Sequence, residues 1–320
     1  MQNVTRASRI VIPSGVDHAT LTVARREVHL TNLRKPFWPE HGITKGALLQ
    51  YYSDVASVLL PHIRDRAMVM KRYPHGASGP FFFMKRAPTP RPAWIRTCAI
   101  QHTRGATIDF PVVDDLPSLL WIINLGCIDL NQWYAKCDDV DRPDYVHFDL
   151  DPDDGANFEH VRECALIIRD SLKALGMKPF VKTNGSRGAH LYVPIVRRPV
   201  QKAVWTFAKV LAMELALRHP KLMTTEHRVA KQPKGRVLVD YNQNRWGSTL
   251  ASVYSVRPMP HATVSTPLRR NEMAGRVSTK DFRIDNVPTC VRAEGGLWKP
   301  LLLARGRADL DTFLSGRRGA

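Results

Sequence analysis

An acidic run inside a strongly basic chain is the feature that most constrains the fold. Residues 138–154 (DDVDRPDYVHFDLDPDD) hold eight aspartates and one arginine, whereas the 320-residue chain carries a net charge of +18. Within this run, residues 145–150 (YVHFDL) predict a β-strand, whose successive side chains point to opposite faces. The apolar residues on one face are Val146, Phe148 and Leu150. The polar residues on the other face are His147, Asp149 and Asp151. The fold must therefore contain a strand that buries one face and presents two carboxylates on the other.

Two interpretations of the carboxylate pair are open. Neighbouring carboxylates repel each other, and protons or cations must relieve that repulsion. Because Mg²⁺ is usually held by one or two carboxylates plus substrate phosphates, Asp149 and Asp151 indicate a metal site that takes a phosphate. The alternative is a solvated turn, since Asp-Pro-Asp-Asp-Gly at residues 151–155 is also favourable turn chemistry.

A second strand strengthens the metal interpretation. Residues 237–241 (VLVDY) place Asp240 in an apolar run, and a buried carboxylate without a partner is costly. Three carboxylates from two strands can hold two cations about 4 Å apart. The alternative is that Asp240 ends its strand and faces solvent.

A glycine-rich basic turn joins two further strand-like segments, residues 179–183 and 190–195. Gly185 and Gly188 permit positive φ and close backbone approach. Consecutive backbone N–H groups there can cup a phosphate, and Arg187 adds charge. A plain hairpin turn is the alternative.

The remaining pattern predicts a mixture of helices and strands. Helices are expected from Thr44 to about residue 60, from Asn157 to about Gly176, and from about Gln201 to Arg218. Four prolines among residues 79–92 predict an irregular loop. Strand–helix–strand order between residues 145 and 195 favours an α/β or α+β fold.

Composition excludes several protein classes and favours a polyanionic partner. No apolar run approaches the roughly 20 residues that span a bilayer, and no signal peptide is evident, so we expect no membrane partner. The five cysteines form no CxxC pair, which favours reduced thiols and a cytoplasmic, nucleoid-associated protein. A folded chain this basic is typical of proteins that meet nucleic acid.

The three polar stretches together resemble the archaeo-eukaryotic primase superfamily. More narrowly, they resemble the polymerase domain of bacterial ligase D from non-homologous end joining and its stand-alone relatives. The matching motifs are HFDLDP with Asp149 and Asp151, NGSRGAH at residues 184–190, and VDYNQN with Asp240. The likeness runs from about residue 20 to about residue 285. It implies that the three aspartates are the catalytic metal ligands for two divalent cations, Mg²⁺ or Mn²⁺.

The resemblance also implies roles for residues outside the three motifs. Two lysines correspond to positions that hold the 5′-phosphate of a DNA break, namely Lys35 and Lys45. Adjacent aromatics correspond to stacking platforms for template and incoming nucleotide, namely Phe82 and Phe83, with Lys85 beside them on the DNA. The remaining implied nucleotide-binding residues are Lys71, Arg72, Phe83, Asn184, Ser186, Arg187, His190, Gln243 and Arg257.

Three positions depart from the family pattern. Asn184 stands where the family usually has serine, and Met259 stands where a second arginine is expected. The histidine expected near residues 129–131 is absent. The last two changes concern nucleotide binding, so the preferred sugar is left open, as is the choice between Mg²⁺ and Mn²⁺.

These observations lead to one fold and one leading function. We expect an α+β primase-polymerase fold over residues 20–300, with residues 1–19 and 301–320 as terminal extensions. A mixed or antiparallel sheet, like that of RNA-recognition domains, would carry the aspartates beside a packed N-terminal α/β module. The implied activity is templated addition of NTP or dNTP, with ribonucleotides as a candidate preference, to primers at gapped or 5′-phosphorylated DNA and double-strand ends during DNA repair.

Two alternatives and two partners complete the expectation. The alternatives are a de novo primase and a DNA-end-binding scaffold with a weak or idle polymerase site. Retention of all three carboxylates disfavours the scaffold. No GxxxxGK[ST] phosphate loop is present, and no Lys-x-Asp-Gly ligase motif, so sealing would need a separate DNA ligase. A Ku-like end-binder is expected by resemblance only.

Overall fold

The computed structural model describes residues 9–101 and 105–315. The helices are α1 Lys45–Ile63, α2 Leu116–Asn124, α3 Phe158–Ala174, α4 Gln201–Arg218, α5 Arg270–Ala274, α6 Val287–Glu294 and α7 Asp311–Ser315. The strands that precede α2 are β1 Ala19–Val23, β2 Arg26–Leu30, β3 Pro36–Trp38, β4 Ile43–Thr44, β5 Met68–Arg72, β6 Phe82–Met84, β7 Thr97–Gln101 and β8 Thr107–Pro111. The remaining strands are β9 Cys127–Trp133, β10 Ala135–Lys136, β11 Asp139–Pro143, β12 Tyr145–Pro152, β13 Phe180–Thr183, β14 Ala189–Pro194, β15 Met223–Thr224, β16 Val237–Asp240 and β17 Thr249–Ala251.

All three predicted helices form, and two of them begin at the predicted capping residues, whereas α4 follows Val200 without a side-chain cap. The Thr44 side chain accepts a hydrogen bond from the Ala47 N–H and caps α1. The Asn157 side chain caps α3 by accepting from the N–H groups of Glu159 and His160. Side-chain caps of this kind satisfy backbone donors that the first helical turn leaves free. The predicted boundaries of these helices are confirmed to within about three residues, and those of α4 at both ends.

A five-stranded sheet has the acidic strand β12 at its centre, in the order β13-β14-β12-β16-β15. Every pair is antiparallel except β15 with β16. Helices α3 and α4 cover one face, where Val146, Phe148 and Leu150 join their apolar side chains in one core cluster. This is the layering expected when a sheet buries one face beneath helices. The predicted α+β class, with a mixed sheet carrying the aspartates, is confirmed.

The N-terminal module is built around a four-stranded sheet in the order β17-β9-β5-β6. Helices α1 and α2 contribute to its core, which also includes Tyr145 and Tyr192 from the other sheet. The module therefore packs partly on the sheet face opposite α3 and α4. Within the module, a buried hydrogen bond joins α1 to β9: the Tyr52 hydroxyl donates to the Ile128 carbonyl at 2.5 Å.

The structure differs from the sequence-based expectation in one loop and adds buried residues beyond the expected domain limits. The irregular loop predicted for residues 79–92 is wrong for Phe82–Met84, which pair with β5 as a short edge strand. Residues on both sides of the expected domain limits also pack on the core: Ile12, Leu301 and Leu310 are buried. The domain limits themselves stay a prediction. In the described part of the chain, no helix has the length and apolarity needed to cross a membrane.

Candidate active site

The candidate site lies on the uncovered part of the five-stranded sheet, where β12 carries Asp149 between two polar neighbours. Asp149 is directly opposite Asp240 on β16 and directly opposite His190 on β14. Directly paired residues on antiparallel strands have Cβ atoms about 4.5–5.5 Å apart. Asp151 lies two residues further along the same face of β12. The register therefore brings together three predicted residues that are far apart in the chain.

The carboxylates are buried close to one another, and their electrostatics reflect it. Burial and the neighbouring Asp240 raise the pKa of Asp149 to about 7. The charge of Asp149 and then burial raise the pKa of Asp151 to about 8. The Oδ1 atom of Asp149 is buried and has no hydrogen-bond partner. A buried anionic oxygen without a donor is costly, so this atom is suited to a cation.

Both carboxylate oxygens of Asp240 accept hydrogen bonds from neighbouring groups. Its Oδ1 accepts from His227 Nε2 at 2.9 Å and from the Asn242 N–H at 2.7 Å, while its Oδ2 accepts from Gln243 Nε2 at 3.0 Å. Across residues 9–101 and 105–315, no three His, Cys, Asp or Glu side chains converge ready to hold a metal. The residues fit a cation chemically, and Asp240 Oδ2, which accepts one hydrogen bond, keeps a lone pair for a cation.

The glycine-rich turn packs against both the carboxylates and the segment that carries Arg257. The Asn184 side-chain carbonyl accepts from the N–H groups of Ser186 and Gly188, at 2.8 and 3.0 Å. Those two N–H groups are therefore engaged, which is a correction to the predicted phosphate cup. The Asn184 amide lies 3.4 Å from Asp151 Oδ1 as a donor. A Cβ at Gly188 would lie 2.0 Å from the Leu150 carbonyl, so the close approach requires glycine here.

Of the predicted arginines, Arg187 lies within this turn and Arg257 packs beside it at Gly185. Arg187 is exposed. Arg257 Nε is buried without a hydrogen-bond partner, and it lies 3.9 Å from Asp129 Oδ2. The Arg257 charge opposes the rise in the pKa of Asp149 and Asp151, so it lies close to them. A buried unpaired guanidinium donor beside carboxylates suits an anionic ligand such as a phosphate.

The edge of the four-stranded sheet supplies an exposed aromatic surface, defined here as the aromatic edge (Phe81, Phe82 and Phe83). Phe83 is 62% exposed, and its neighbours Phe81 and Phe82 are 49% and 43% exposed. Lys71 Nζ lies 4.1 Å from the Phe81 ring centroid and 3.9 Å from Asp129 Oδ2. On the opposite face of β5, the Arg72 guanidinium carbon lies 5.4 Å from the Phe82 ring centroid. Burial lowers the pKa of Lys71. Lys85, just beyond the strand, is exposed.

The two lysines predicted at the 5′-phosphate meet at the start of α1. The Lys45 N–H donates to the Lys35 carbonyl at 2.9 Å. Lys35 is half-buried, whereas Lys45 is buried and its Nζ donates to the Thr31 carbonyl at 2.6 Å. Burial, and then the charge of Lys35, lower the pKa of Lys45 to about 8.

Comparison with known proteins identifies the family. Residues 44–298 match the model of the LigD primase-polymerase domain. The chain belongs to the LigD primase-polymerase family. It is therefore a nucleotidyltransferase of the polymerase class. The solved polymerase domain of Mycobacterium tuberculosis ligase D, in complex with DNA, superposes with a TM-score of 0.79 and 30% identity. That match covers 86% of this chain and 98% of the solved domain.

Curated relatives in the LigD family are much longer proteins. The multifunctional non-homologous end joining protein LigD of Mycolicibacterium smegmatis is 31% identical over 293 residues, 91% of this chain and 38% of that protein. The bifunctional LigD of Bacillus subtilis is 27% identical over 270 residues, 84% of this chain and 43% of that protein. This chain thus spans about two fifths of the length of these relatives.

Three further residues lie in or beside the candidate site and are not among the site residues predicted from the sequence. His227 follows β15 and binds Asp240, and a lone histidine in a polar segment carries no pattern that predicts this. Asp129 on β9 lies between Lys71 and Arg257. Lys182 is fully buried on β13. The apolar segment around Lys182 is a signal that could have found it, since an unpaired lysine rarely lies inside a core.

Proposed function

We propose that this chain extends DNA primers at gaps and double-strand-break ends by templated nucleotide addition in non-homologous end joining. One observation carries the proposal: Asp149 lies between Asp240 and His190 in the sheet register, with one carboxylate oxygen unpartnered. This arrangement concentrates negative charge at a point that basic side chains surround. Phosphoryl transfer requires little more than positioning and charge neutralisation at such a point.

Asp149, Asp151 and Asp240 would hold two divalent cations. Bound there, the cations would favour deprotonation of the primer 3′-hydroxyl and neutralise charge on the triphosphate. The protein's own contribution is to keep the three carboxylates close, at the energetic cost that their raised pKa values express. His227 would keep Asp240 in place through Oδ1, which leaves a lone pair of Oδ2 for a cation.

Basic residues from both sheets would bind the triphosphate. Arg257 Nε is a buried donor without a hydrogen-bond partner. Arg187 is exposed, and Lys71 lies on β5. His190 would add a donor from the adjacent strand. The remaining contacts proposed for the nucleotide are Arg72, Asn184, Ser186 and Gln243. Phe83 would stack on the incoming base.

DNA would follow the basic surface that continues past the aromatic edge. Phe82 and Lys85 would contact the template, while Lys35 and Lys45 would contact a 5′-phosphate across the gap. The net charge of +18 would make this affinity fall steeply with salt, because each neutralised DNA phosphate releases counterions. The DNA complex of the M. tuberculosis domain supports DNA as the partner here.

The repair pathway and the remaining partners rest on the relatives. Their names place them in non-homologous end joining, and a Ku-like end-binder and a separate DNA ligase are the partners proposed for this chain. Ribonucleotide preference is part of the proposal as well. Met259 and the histidine absent near residues 129–131, the two departures that concern nucleotide binding, are the positions to examine for an altered sugar preference.

Primer extension on a gapped duplex with a 5′-phosphate tests the proposal. Ribo- and deoxynucleotides would be compared in Mg²⁺ and in Mn²⁺, with Asp149→Ala/Asp151→Ala as the inactive control. Templated addition by the wild type and none by the control is expected. Asp154→Asn is the matched control, because it removes an exposed carboxylate of the same acidic run. Tight gap binding with no addition under any condition would instead favour an end-binding scaffold.

A further inference from the structure

Lys182 is a fully buried lysine to which the proposed mechanism gives no role. It lies on β13 directly opposite His190 on β14, and His190 lies directly opposite Asp149 on β12. The three residues thus form one row across three adjacent strands. Lys182 is 0% exposed and His190 is 2% exposed. A buried cation in such a row needs an explanation, because burial of an uncompensated charge is strongly unfavourable.

The ammonium group has one acceptor for each of its three N–H bonds. Lys182 Nζ lies 2.8 Å from His190 Nδ1, 3.0 Å from the Ala251 carbonyl and 2.5 Å from Ser265 Oγ. The carbonyl can only accept. The Ser265 hydroxyl already donates its hydrogen to the Thr183 carbonyl at 2.8 Å, so it too accepts from the lysine. The third N–H is therefore directed at Nδ1 of His190.

An occupied Nδ1 lone pair determines where the imidazole carries its proton. A neutral imidazole has one N–H and one acceptor nitrogen, so Nε2 must carry the hydrogen when Nδ1 accepts. Nε2 faces the site, 3.0 Å from Asp149 Oδ1. The contact is not an aligned hydrogen bond, since Asp149 Oδ1 has no hydrogen-bond partner. The Nε2–H group is thus close to the carboxylate and still available to a ligand.

The opposite arrangement is electrostatically unfavourable. Burial and the charge of Arg257 lower the pKa of Lys182 well below its ordinary value, which raises the question of a neutral amine. A neutral amine would accept from Nδ1–H and leave Nε2 as a bare acceptor. With Asp149 ionised, as it must be to hold a cation, two lone pairs, one on Nε2 and one on Asp149 Oδ1, would then face each other at 3.0 Å. The ammonium arrangement avoids this repulsion.

We propose that Lys182 is a positioning residue that locks His190 in the Nε2–H tautomer and so keeps a hydrogen-bond donor directed at the nucleotide phosphates. The phosphate part of this inference rests on the proposed function; the tautomer part does not. Without the lysine, His190 can present a lone pair to the site. A lone pair repels a phosphate oxygen where an N–H would bind it, so Lys182 acts on nucleotide binding through His190.

The tautomer can be measured without substrate, metal or activity. Protein labelled with ¹⁵N in its histidines would be examined by two-bond ¹H–¹⁵N correlation NMR at neutral pH, with His190→Gln identifying the His190 signals. The wild type is expected to show a protonated Nε2 and an unprotonated Nδ1. Lys182→Met should lose that pattern. A wild type with the proton on Nδ1, or an unchanged pattern in Lys182→Met, would overturn the proposal. The wild-type spectrum decides even if Lys182→Met does not fold.

Kinetics then connect the tautomer to the nucleotide. Lys182→Met is expected to raise the KM for the nucleotide about 10-fold, the order for losing a hydrogen bond to a charged group, with a smaller effect on kcat. Lys182→Met/His190→Gln should be no worse than His190→Gln alone, because the lysine acts only through the histidine. Lys178→Met, which removes an exposed lysine just before the same strand, should behave as the wild type. Additive losses in the double variant would refute the positioning role. An Nε2–H tautomer in a protein without polymerase activity would sink the proposed function and leave the tautomer assignment standing.

Discussion

The two sheets of this protein present their candidate functional side chains in opposite ways. The five-stranded sheet buries Asp149, His190 and Lys182 in one row across neighbouring strands. The edge of the four-stranded sheet leaves three consecutive phenylalanines 43–62% exposed to solvent. The first surface is assembled before any ligand arrives, at a cost in electrostatic free energy. The second is a bare platform that becomes covered only when a base stacks on it.

That contrast separates chemistry from recognition. Buried charges in a fixed register resist reorganisation, which is what electrostatic catalysis requires. An exposed aromatic edge tolerates different bases, since every base offers a π-face. Arg257 belongs to both surfaces, because it lies near Asp149 and Asp151 and also approaches the Asp129 carboxylate beside Lys71. Variants on the two surfaces should therefore differ in what they damage.

The largest effect is expected from Asp149→Asn. The substitution keeps the side-chain shape and removes one of the three carboxylates that would hold the cations, so extension should fall at least about 1,000-fold, the equivalent of about 4 kcal/mol. Affinity for gapped DNA should change little, because it depends on the basic surface. Single-turnover extension and a gel-shift titration measure the two quantities. Retained extension together with lost DNA binding would contradict the prediction, because it would assign Asp149 to DNA binding and not to catalysis.

The second prediction concerns stability and divalent cations. The folded-state pKa values of Asp149 and Asp151, about 7 and 8, exceed the value near 4 of an unfolded aspartate. The stability that these carboxyls contribute is therefore complete below about pH 4 and is lost as the pH rises through 7 to 8. Mn²⁺ bound to the ionised carboxylates should offset this loss of stability. It should raise the Tm by several degrees at pH 8 and much less at pH 6.

Differential scanning calorimetry at both pH values, with and without Mn²⁺, makes that measurement. Asp149→Asn should raise the Tm of the metal-free protein at pH 8 and abolish most of the response to Mn²⁺. An equal Mn²⁺ effect at pH 6 and pH 8 would show that the cation binds elsewhere.

The aromatic edge should respond differently. Phe83→Ala is expected to raise the KM for the incoming nucleotide about 10-fold, within the roughly 1–3 kcal/mol that a stacked base loses on alanine substitution. The Tm should stay unchanged, because Phe83 is 62% exposed. Leu217→Ala is a matched control, since Leu217 is 80% exposed on α4, which packs on the other face of the five-stranded sheet. A Tm loss in Phe83→Ala as large as that of a core substitution would show that Phe83 stabilises the fold, which contradicts its assignment to an exposed recognition surface.

The sequence predicts the buried surface better than the exposed one, for a physical reason. Alternation along β12 and the capping residues Thr44 and Asn157 are local signals, and the fold follows them. Which strands lie beside β12 is set by long-range pairing, so the row from Lys182 to Asp149 could not be derived from spacing. The strand at Phe82–Met84 was missed because an exposed edge strand buries no face and shows no alternation. The roles assigned to individual site residues stay predictions.

The smallest effect is expected at the start of α1, which belongs to neither surface. Lys45, with a pKa lowered to about 8, should be a cation at pH 7 and largely neutral at pH 9. The preference for a 5′-phosphorylated gap over an unphosphorylated one should therefore fall a few-fold across this range, because a neutral amine attracts phosphate weakly. Lys45→Arg keeps its charge over the whole range, so its preference for the phosphorylated gap should not change with pH. Lys35→Ala should lower the preference at every pH. It should also move the decline to higher pH, because it removes a positive charge beside Lys45. Binding of the two gapped duplexes at a series of pH values gives the ratio directly. A pH-independent preference in the wild type would mean that the buried Lys45 ammonium, hydrogen-bonded to the Thr31 carbonyl, stabilises the α1 start and leaves the phosphate to Lys35.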